Sequence, residues 1–269
     1  MKDNAQTLTN DLLACVREIA LSAGKVVMAV YATDFAVRGK DDASPVTQAD
    51  ERAEAVIVAA LRELAPDIPI VAEEAVAAGA APKVGARFWL VDPLDGTKEF
   101  ISRNGEFTVN IALVQDGVPV LGVVFAPALQ RLFAGALGAG AYVEDALGRR
   151  LIQARGVPAE GLTVVASRSH GDASALDAYL AGRKVASLTN AGSSLKLCLV
   201  AGGEADLYPR LGRTMEWDIA AGHAVLLAAG GQVTDLSGRP LRYGKPGFDN
   251  PHFVASGLCE PALTPTLSR

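Results

Sequence analysis

Apolar positions recur at helical spacing along two early segments of the chain. Between residues 9 and 31 they fall three and four positions apart, which predicts an amphipathic helix. A second helix is predicted over residues 49–64, and Pro66 ends it. The polar stretch 37–48 between them contains a glycine and a proline and is predicted to be a loop.

Short apolar runs predict strands through the rest of the first half. Alternating runs at 107–114 and 118–125 are joined by Gln115-Asp116-Gly117, a hairpin signal. Further strands are predicted over residues 68–72, 88–91, 131–134 and 141–143. This half is therefore predicted to be an antiparallel sheet with helices.

After about residue 155 predicted strands and helices alternate, which is typical of an α/β arrangement. The strands are predicted at 163–166, 185–188, 205–208, 233–235 and 252–255. The helices are predicted at 173–181, 193–201 and 217–229. We predict an α+β half over residues 1–154, an α/β half over 155–259, and a flexible tail over 260–269.

Composition and charge exclude several classes of protein. The chain has 269 residues, of which 50% are hydrophobic, so it is neither disordered nor fibrous. A net charge of -5 argues against binding of a nucleic acid polymer. No apolar run reaches the roughly 20 residues that span a bilayer, and the polar N-terminus is not a secretory signal.

The cysteines predict a reduced, cytoplasmic setting. Cys15, Cys198 and Cys259 are far apart and form no CxxC pair, which disfavours both a disulfide framework and a zinc site. The three histidines are also scattered. Any metal in this protein is therefore expected to have oxygen ligands.

The segment WLVDPLDGTKEF, residues 89–100, carries the strongest chemical signal. Asp92 and Asp95 follow an apolar strand, and the amides of Gly96 and Thr97 would start a helix and face an anion. Two carboxylates beside anion-binding amides make sense if a divalent cation lies between them. A plain β-turn of the Asp-Pro-x-Asp-Gly type is the alternative interpretation.

Other acidic residues favour the cation. Glu73 and Glu74 follow a short apolar run, and Asp218 begins an apolar helix. Taken alone, the two glutamates are typical of a solvated loop edge, and Asp218 is typical of a helix N-cap. If Glu73, Asp92, Asp95 and Asp218 converge, each pair at ~4 Å costs about 4 kcal/mol at an effective dielectric of 20. Bound cations relieve that repulsion, and oxygen ligands without histidine or cysteine favour Mg²⁺ over zinc.

Three further segments have both a structural and a functional interpretation. Asp50, in SPVTQAD, is either a helix cap or a base beside the metal ligands. Gly192-Ser193-Ser194, with Lys196 one turn later, is either a common turn or a small anion cradle. The segment SRSH at 167–170 is either a plain loop or part of the site.

Three separated motifs resemble those of the inositol monophosphatase superfamily of Mg²⁺-dependent, Li⁺-sensitive phosphatases. They are VAEE at 71–74, VDPLDGT at 91–97 and WDIAAGHAVL at 217–226. The resemblance covers nearly the whole chain. Within the superfamily it is most detailed to the 3′(2′),5′-bisphosphate nucleotidase branch. The segments that carry this finer resemblance are SPVTQAD, NGEFTVNIAL, SRSH, GSSLKLCLVAGG and LYPR. It implies a layered α/β/α/β/α fold.

The resemblance also implies roles for individual residues. The implied ligands of two or three Mg²⁺ ions are Glu73, Asp92, the Leu94 carbonyl, Asp95 and Asp218. Thr97 and Asp50 are implied to orient and deprotonate the attacking water. The implied substrate-binding residues are Glu73, Asp92, Leu94, Asp95, Gly96, Thr97, His170, Ser193, Lys196, Arg210 and Asp218.

The implied activity is hydrolysis of the 3′-phosphate of adenosine 3′,5′-bisphosphate to AMP and phosphate, linked to sulfur assimilation. Inositol-cleaving relatives typically present a carboxylate shortly before the WD motif, where this chain has Arg210. An arginine can form a forked pair with a second phosphate, and Lys196 can add a point charge. The alternative functions are those of an inositol or other sugar phosphatase and of a non-catalytic nucleotide sensor. The alternative interpretation of Arg210 and Lys196 is that both are surface charges.

The remaining expectations concern partners and location. The expected partner is a small phosphonucleotide, with no integral membrane segment. A homodimer and a peripheral association with the inner membrane are left open by the sequence.

Overall fold

The computed structural model describes residues 2–33, 45–167 and 173–258. These residues form seven α-helices and twelve strands. The α-helices are α1 (Lys2–Tyr31), α2 (Pro45–Leu64), α3 (Glu73–Ala77), α4 (Thr97–Ile101), α5 (Ala173–Leu180), α6 (Leu195–Ala201) and α7 (Glu216–Ala228). The strands are β1 (Ile70–Ala72), β2 (Arg87–Asp95), β3 (Thr108–Gln115), β4 (Val118–Ala126), β5 (Arg131–Ala136), β6 (Gly140–Asp145), β7 (Gly148–Ile152), β8 (Leu162–Ser167), β9 (Val185–Ala191), β10 (Leu207–Arg210), β11 (Gln232–Asp235) and β12 (Phe253–Ser256).

The first seven strands form one sheet in sequence order, from β1 to β7. β1 pairs with β2 in parallel, and every later pair is antiparallel. The predicted hairpin joins β3 to β4. Asp116 and Gly117 both have positive φ, at 51° and 74°, as a type I′ turn requires.

The second sheet has five strands in the order β11-β12-β10-β8-β9. β10, β8 and β9 run parallel to one another at one end of this sheet. β12 is antiparallel to its two neighbours. The predicted change from an antiparallel to an α/β arrangement is therefore confirmed.

The helices form layers on the faces of the two sheets. One buried cluster joins α1 and α2 to one face of the first sheet. A second cluster joins the opposite face of that sheet to α6, α7 and the second sheet. Tyr179 and Leu180 of α5 pack on the outer face of the second sheet. These layers confirm the α/β/α/β/α fold that the motifs implied.

Several predicted boundaries were wrong. α2 begins at Pro45, inside the predicted loop, because proline is well suited to the first helical turn. Residues 73–77 form α3 instead of a loop. β7 was missed because it is mostly exposed and lacks alternation; ion pairs from Arg149 to Glu144 and from Arg150 to Asp145 join it to β6.

Some predictions lie outside the described residues or are not decided by the fold. The predicted tail, residues 260–269, and residues 168–170 of SRSH are outside the described ranges. The division at residues 154/155 falls between the two sheets and stays a prediction, because one buried cluster contains residues of both sheets. None of the helices in the described ranges has the length and apolar character needed to cross a bilayer.

Close packing of α7 on the first sheet depends on small residues. A Cβ added at Gly122 of β4 would overlap the carbonyl oxygen of Ala221 in α7 and lie 2.8 Å from the Cβ of Ala224. At Gly135 of β5 an added Cβ would lie 2.9 Å from the Cβ of Ala228. The helix therefore rests directly on the backbone of these strands.

We expect Gly122→Ala to destabilise the protein, because α7 must move away from β4. Overpacking of this kind costs roughly 1–3 kcal/mol, which corresponds to a melting temperature lower by roughly 3–10 °C. Thermal unfolding measures the change. Gly156→Ala is the control, because its Cβ would enter open space. Equal melting temperatures for the two variants would contradict the close packing.

Candidate active site

A bulge at the end of β2 places two carboxylates on one face of the first sheet. Asp92 pairs with Asn110 and Asp95 pairs with Thr108, so three steps along β2 oppose two along β3. In a regular strand, residues three apart point to opposite faces. The extra residue at the Pro93-Leu94 step returns Asp95 to the face of Asp92.

Asp92 lies at the bottom of this arrangement. It is 1% exposed, and the N–H of Leu94 donates to its Oδ1 at 3.0 Å. Burial raises its pKa well above the ordinary value, and the nearby Glu73, Asp95 and Asp218 raise it further. The carboxyl group therefore has a strong unmet preference for a positive charge.

Glu73 approaches Asp92 from the neighbouring strand. β1 is in register with β2 through Ala72 and Val91, which sets Glu73, the next residue, beside Asp92. Burial and then the charge of Asp95 raise the pKa of Glu73 to about 7, while the neighbouring Asp92 opposes that rise. Each of these two carboxyl groups therefore changes the pKa of the other.

Asp218 completes the group from the first turn of α7. Its Oδ2 accepts the N–H of Met215 at 2.8 Å, so the capping interpretation holds for one of its oxygens. The residue also lines the same pocket as the other acids. Burial and then Asp95 raise its pKa to about 8.

The acids supply the hard oxygen donors that Mg²⁺ prefers. Within the described ranges, no group of three or more His, Cys, Asp or Glu side chains is already placed to hold a metal ion. Four carboxylates that repel one another do not gather tightly by themselves. Ligation would therefore require these side chains to turn toward a common cation.

The acids and the predicted substrate residues share one cavity of about 360 Å³, a size that suits a small-molecule ligand. Ten of the predicted site residues line it: Glu73, Asp92, Leu94, Asp95, Gly96, Thr97, Ser193, Lys196, Arg210 and Asp218. Asp50 is not among the lining residues, and His170 lies outside the described residues.

Asp50 lies in the first part of α2, near the acids but not among the residues that line the cavity. It is 6% exposed, and burial, followed by Glu74 and Glu73, raises its pKa to about 8. Its charge also raises the pKa of Asp92. In the described part of the chain no hydrogen bond joins it to Thr97, so their joint action on a water stays a prediction.

Thr97 is the exposed first residue of α4. Gly96 precedes it in the left-handed region, with φ 98° and ψ 49°. A Cβ at Gly96 would lie 3.3 Å from the Cα of Phe107, so glycine fits both the conformation and the space. The predicted helix start after the DPLDG motif is thereby confirmed.

Two basic side chains, Lys196 and Arg210, line the same cavity. Lys196 is 4% exposed, and its Nζ donates to the carbonyl oxygens of Ser193 at 2.6 Å and of Ala191 at 3.2 Å. Burial lowers its pKa to about 8, although Asp95 opposes that shift. Two of its three donors thus hold the Gly192-Ser193-Ser194 turn, which leaves one for a ligand.

Two residues of the cavity have features typical of a binding site: Ser193 has a strained backbone conformation, and Arg210 has a donor without a hydrogen-bond partner in the described part of the chain. Ser193 has φ 43°, a left-handed conformation that a non-glycine residue adopts at a cost. The Nη2 of Arg210 donates to the carbonyl of Arg213 at 2.9 Å. Its buried Nε has no hydrogen-bond partner within the described ranges. A bound anion is a natural partner for that group.

Ser167, the first residue of SRSH, lines the cavity, as one of the two interpretations of that segment predicted. Sequence reasoning missed other lining residues, including Tyr208, Thr214 and Glu99. Tyr208 had a usable signal, because it lies two residues before Arg210 in β10 and shares its face. The Nζ of Lys196 lies 5.4 Å from the centroid of the Tyr208 ring. Asn110 was also missed; it is 1% exposed beside Asp92, and its amide atoms have no partner within the described ranges.

The fold and this acidic pocket agree with the comparison to known proteins. Residues 9–264 match the inositol monophosphatase family, and the chain belongs to that family. Relatives named 3′(2′),5′-bisphosphate nucleotidase CysQ, from Shigella flexneri and Escherichia coli (strain K12), are 50% and 49% identical to it. Each match spans 248 residues, which are 91% of this chain and 99% of the relative.

Solved structures show the same similarity. CysQ from Bacteroides thetaiotaomicron has a TM-score of 0.81 at 38% identity and covers 93% of this chain and 98% of its own. An inositol monophosphatase from Anabaena (Nostoc) sp. PCC 7120 has a TM-score of 0.72 at 28% identity and covers 94% of this chain and 92% of its own.

Between pH 6.5 and about 8 we expect the metal-free protein to become less stable as the pH rises. The folded-state pKa values of Glu73, near 7, and of Asp50 and Asp218, near 8, exceed the ordinary values of 4.5 and 3.8. The folded state therefore holds protons that the unfolded state releases. Each such proton contributes about 1.4 kcal/mol per pH unit. Urea unfolding in the presence of EDTA measures the slope.

The range from pH 6.5 to about 8 is chosen because two other groups, whose pKa values fall on folding, affect stability in the opposite direction outside it. The pKa of His223 falls from 6.5 to about 3 on folding, so its contribution changes only below pH 6.5. The pKa of Lys196 falls from 10.5 to about 8, so its contribution changes mainly above pH 8. Asp218→Asn should reduce the slope while its oxygen still accepts the N–H of Met215. A flat or rising stability would show that these acids are not mutually repulsive.

Proposed function

We propose that the protein is a Mg²⁺-dependent phosphatase that removes the 3′-phosphate from adenosine 3′,5′-bisphosphate and yields AMP and phosphate. The observation that carries this proposal is that four carboxylates line one cavity together with Lys196 and Arg210. The carboxylates fit cations, and the two basic side chains fit an anionic substrate group. The names of the relatives with about 50% identity support the choice of substrate.

The proposed metal ligands are Glu73, Asp92, the carbonyl of Leu94, Asp95 and Asp218. Bound Mg²⁺ supplies Lewis acidity, which acidifies a water and neutralises charge on the phosphoryl and leaving oxygens. Asp92 is suited to contact more than one ion, because it lies deepest and feels the charges of the other three acids. The N–H of Leu94 holds one of its oxygens in place.

Asp50 and Thr97 are proposed to act on the attacking water. The raised pKa of Asp50 makes it able to hold a proton near neutral pH, as a base of this kind must. Thr97 is exposed at the start of α4, where its hydroxyl can orient a water. The amides of Gly96 and Thr97 are proposed to bind the phosphate that is removed.

The second phosphate of the substrate is proposed to bind the basic side chains that line the cavity. The guanidinium of Arg210 can form two parallel hydrogen bonds with a phosphate, and its Nε has no other partner in the described part of the chain. Lys196 and Ser193 supply further donors beside it. His170 is proposed to border the nucleoside, at a position outside the described residues.

Hydrolysis of an inositol or other sugar monophosphate is the alternative, and the family match favours it as a second candidate. Such a substrate presents hydroxyl groups, which need acceptors, where the bisphosphate presents a second anion. Arg210 is a donor only, so it cannot accept a hydroxyl proton at that position. The link to sulfur assimilation, the cytoplasmic location and the homodimer stay predictions.

We expect Asp95→Asn to reduce phosphate release by at least about 100-fold, because the loss of a proposed ligand weakens the hold on the cation. The metal-free variant should be as stable as the wild type or more stable, since one repelling charge is gone. Phosphate release with saturating Mg²⁺ and thermal unfolding in EDTA measure the two effects. Exposed Glu63→Gln serves as the control. Near wild-type rates for Asp95→Asn would refute its role as a ligand.

We expect Arg210→Ala to raise KM for adenosine 3′,5′-bisphosphate by roughly tenfold or more, about 1.4 kcal/mol. The rate on adenosine 3′-monophosphate, which lacks the second phosphate, should change little. Arg213→Ala is the matched control, because that arginine is exposed nearby and pairs with Asp249. An equal loss on both substrates would show that Arg210 supports the site generally and does not bind the second phosphate.

A further inference from the structure

We propose that Glu54 is a positioning residue that fixes Glu73 by capping the start of α3 from a neighbouring helix. The N-terminal N–H groups of a helix have no partners within the helix and need acceptors from elsewhere. In α3 the residue at the usual capping position is Ala72, which makes no side-chain cap. Ala72 is 1% exposed and belongs to the core, where a polar capping residue would be costly.

The carboxylate of Glu54 replaces the missing cap. Its Oε2 accepts the N–H of Glu74 at 2.9 Å, and its Oε1 accepts the N–H of Ala75 at 3.1 Å. These are the second and third residues of α3, whose amides a capping side chain normally satisfies one at a time. One half-buried carboxylate thus binds both amides across 20 residues of sequence.

These bonds restrict Glu73 from its C-terminal side. Glu73 lies between Ala72, which the pairing of β1 with β2 holds, and Glu74, which Glu54 holds. Since both flanking peptide units are fixed, the remaining freedom of Glu73 is mainly in its side-chain torsions. Its carboxylate is thereby kept beside Asp92, where the register of β1 with β2 places it.

The position of Glu54 on α2 is itself well fixed. Ala53, Ile57 and Leu61 of this helix are 0% exposed and pack against the first sheet. Asp50 and Glu54 are one turn apart and so share one flank of the helix. A single rigid helix therefore presents Asp50 toward the acids and Glu54 toward the backbone that carries Glu73.

The consequence for catalysis rests on the proposed function, in which Glu73 binds Mg²⁺. Loss of the cap should weaken Mg²⁺ binding more than it slows the reaction at saturating Mg²⁺. A purely structural role would lower stability without this separation. Residues that orient metal ligands typically change affinity or activity by roughly 10–100-fold when replaced.

The test compares Glu54→Ala and Glu54→Gln with Glu51→Gln in the full chain. Glu51 is exposed on the same helix and contributes charge near Asp50 and Glu74, so its variant controls for charge alone. The measurements are amide hydrogen exchange at Glu74 and Ala75 without metal, the Kd for Mg²⁺ by calorimetry, and phosphate release at saturating Mg²⁺.

For Glu54→Ala we expect exchange at both amides to accelerate by roughly tenfold, in line with the loss of a helix cap. The Kd for Mg²⁺ should rise by roughly tenfold or more, while the rate at saturating Mg²⁺ stays within about twofold. Glu54→Gln should be intermediate, because one amide oxygen can accept only part of the bonding. Glu51→Gln should leave exchange and Kd unchanged.

Three results would overturn the inference. They are unchanged exchange in Glu54→Ala, faster exchange with an unchanged Kd for Mg²⁺, and an equal rise in Kd for Glu51→Gln. A wild-type chain that binds no Mg²⁺ would overturn the proposed function instead. That failure is distinguishable, because the exchange rates at Glu74 and Ala75 still decide whether Glu54 caps α3.

Discussion

Mutual repulsion among buried carboxylates is the constraint on which the site depends. Glu73, Asp92, Asp95 and Asp218 come from three separate parts of the chain, and burial raises the pKa of each. Acids of the same group raise the pKa of Glu73, Asp92 and Asp218 further, whereas for Asp95 the further rise comes from Glu99 and is opposed by Lys196. A pair of such charges at about 4 Å costs about 4 kcal/mol at an effective dielectric of 20. The fold maintains this arrangement because hydrophobic packing on both faces of the first sheet holds the backbone that carries the acids. A bound cation neutralises these negative charges and so removes the repulsion, which favours its binding.

Each acid is held by a different local device, and together these devices explain how an unfavourable charge cluster remains ordered. The bulge in β2 turns Asp95 to the face of Asp92. The N–H of Met215 holds Asp218, and the packing of α7 against Gly122 sets the depth of that helix in the fold. Glu54 holds the backbone after Glu73. In the same cavity, Lys196 holds the turn at Ser193 and keeps a positive charge near Asp95. The acidic and basic groups together suit a substrate that is anionic and a reaction that needs cations.

Local signals in the sequence predicted those features that depend on neighbouring residues. The Asp116-Gly117 turn predicted its hairpin because its positive φ angles suit those residues. The motif around Asp92 and Asp95 predicted the acids and the helix after them, but a common turn was an equally good local interpretation. The bulge was not predictable, because it exists only in the pairing with β3. The role of Glu54 was hidden for the same reason, since its partners are 20 and 21 residues away. β7 was not predicted because its sequence lacks alternation. Ion pairs across the strands connect it to β6 in addition to the strand pairing.

Anomalous diffraction from a crystal of the protein grown with Mn²⁺ in place of Mg²⁺ tests the central claim most directly. Mn²⁺ accepts the same hard oxygen ligands and is visible by its anomalous scattering. The account predicts strong peaks in the cavity, within coordinating distance of Asp92 and of at least two among Glu73, Asp95 and Asp218. A cavity without such a peak at saturating Mn²⁺, or peaks bound only elsewhere on the protein, would contradict the claim that the acid cluster is a cation site.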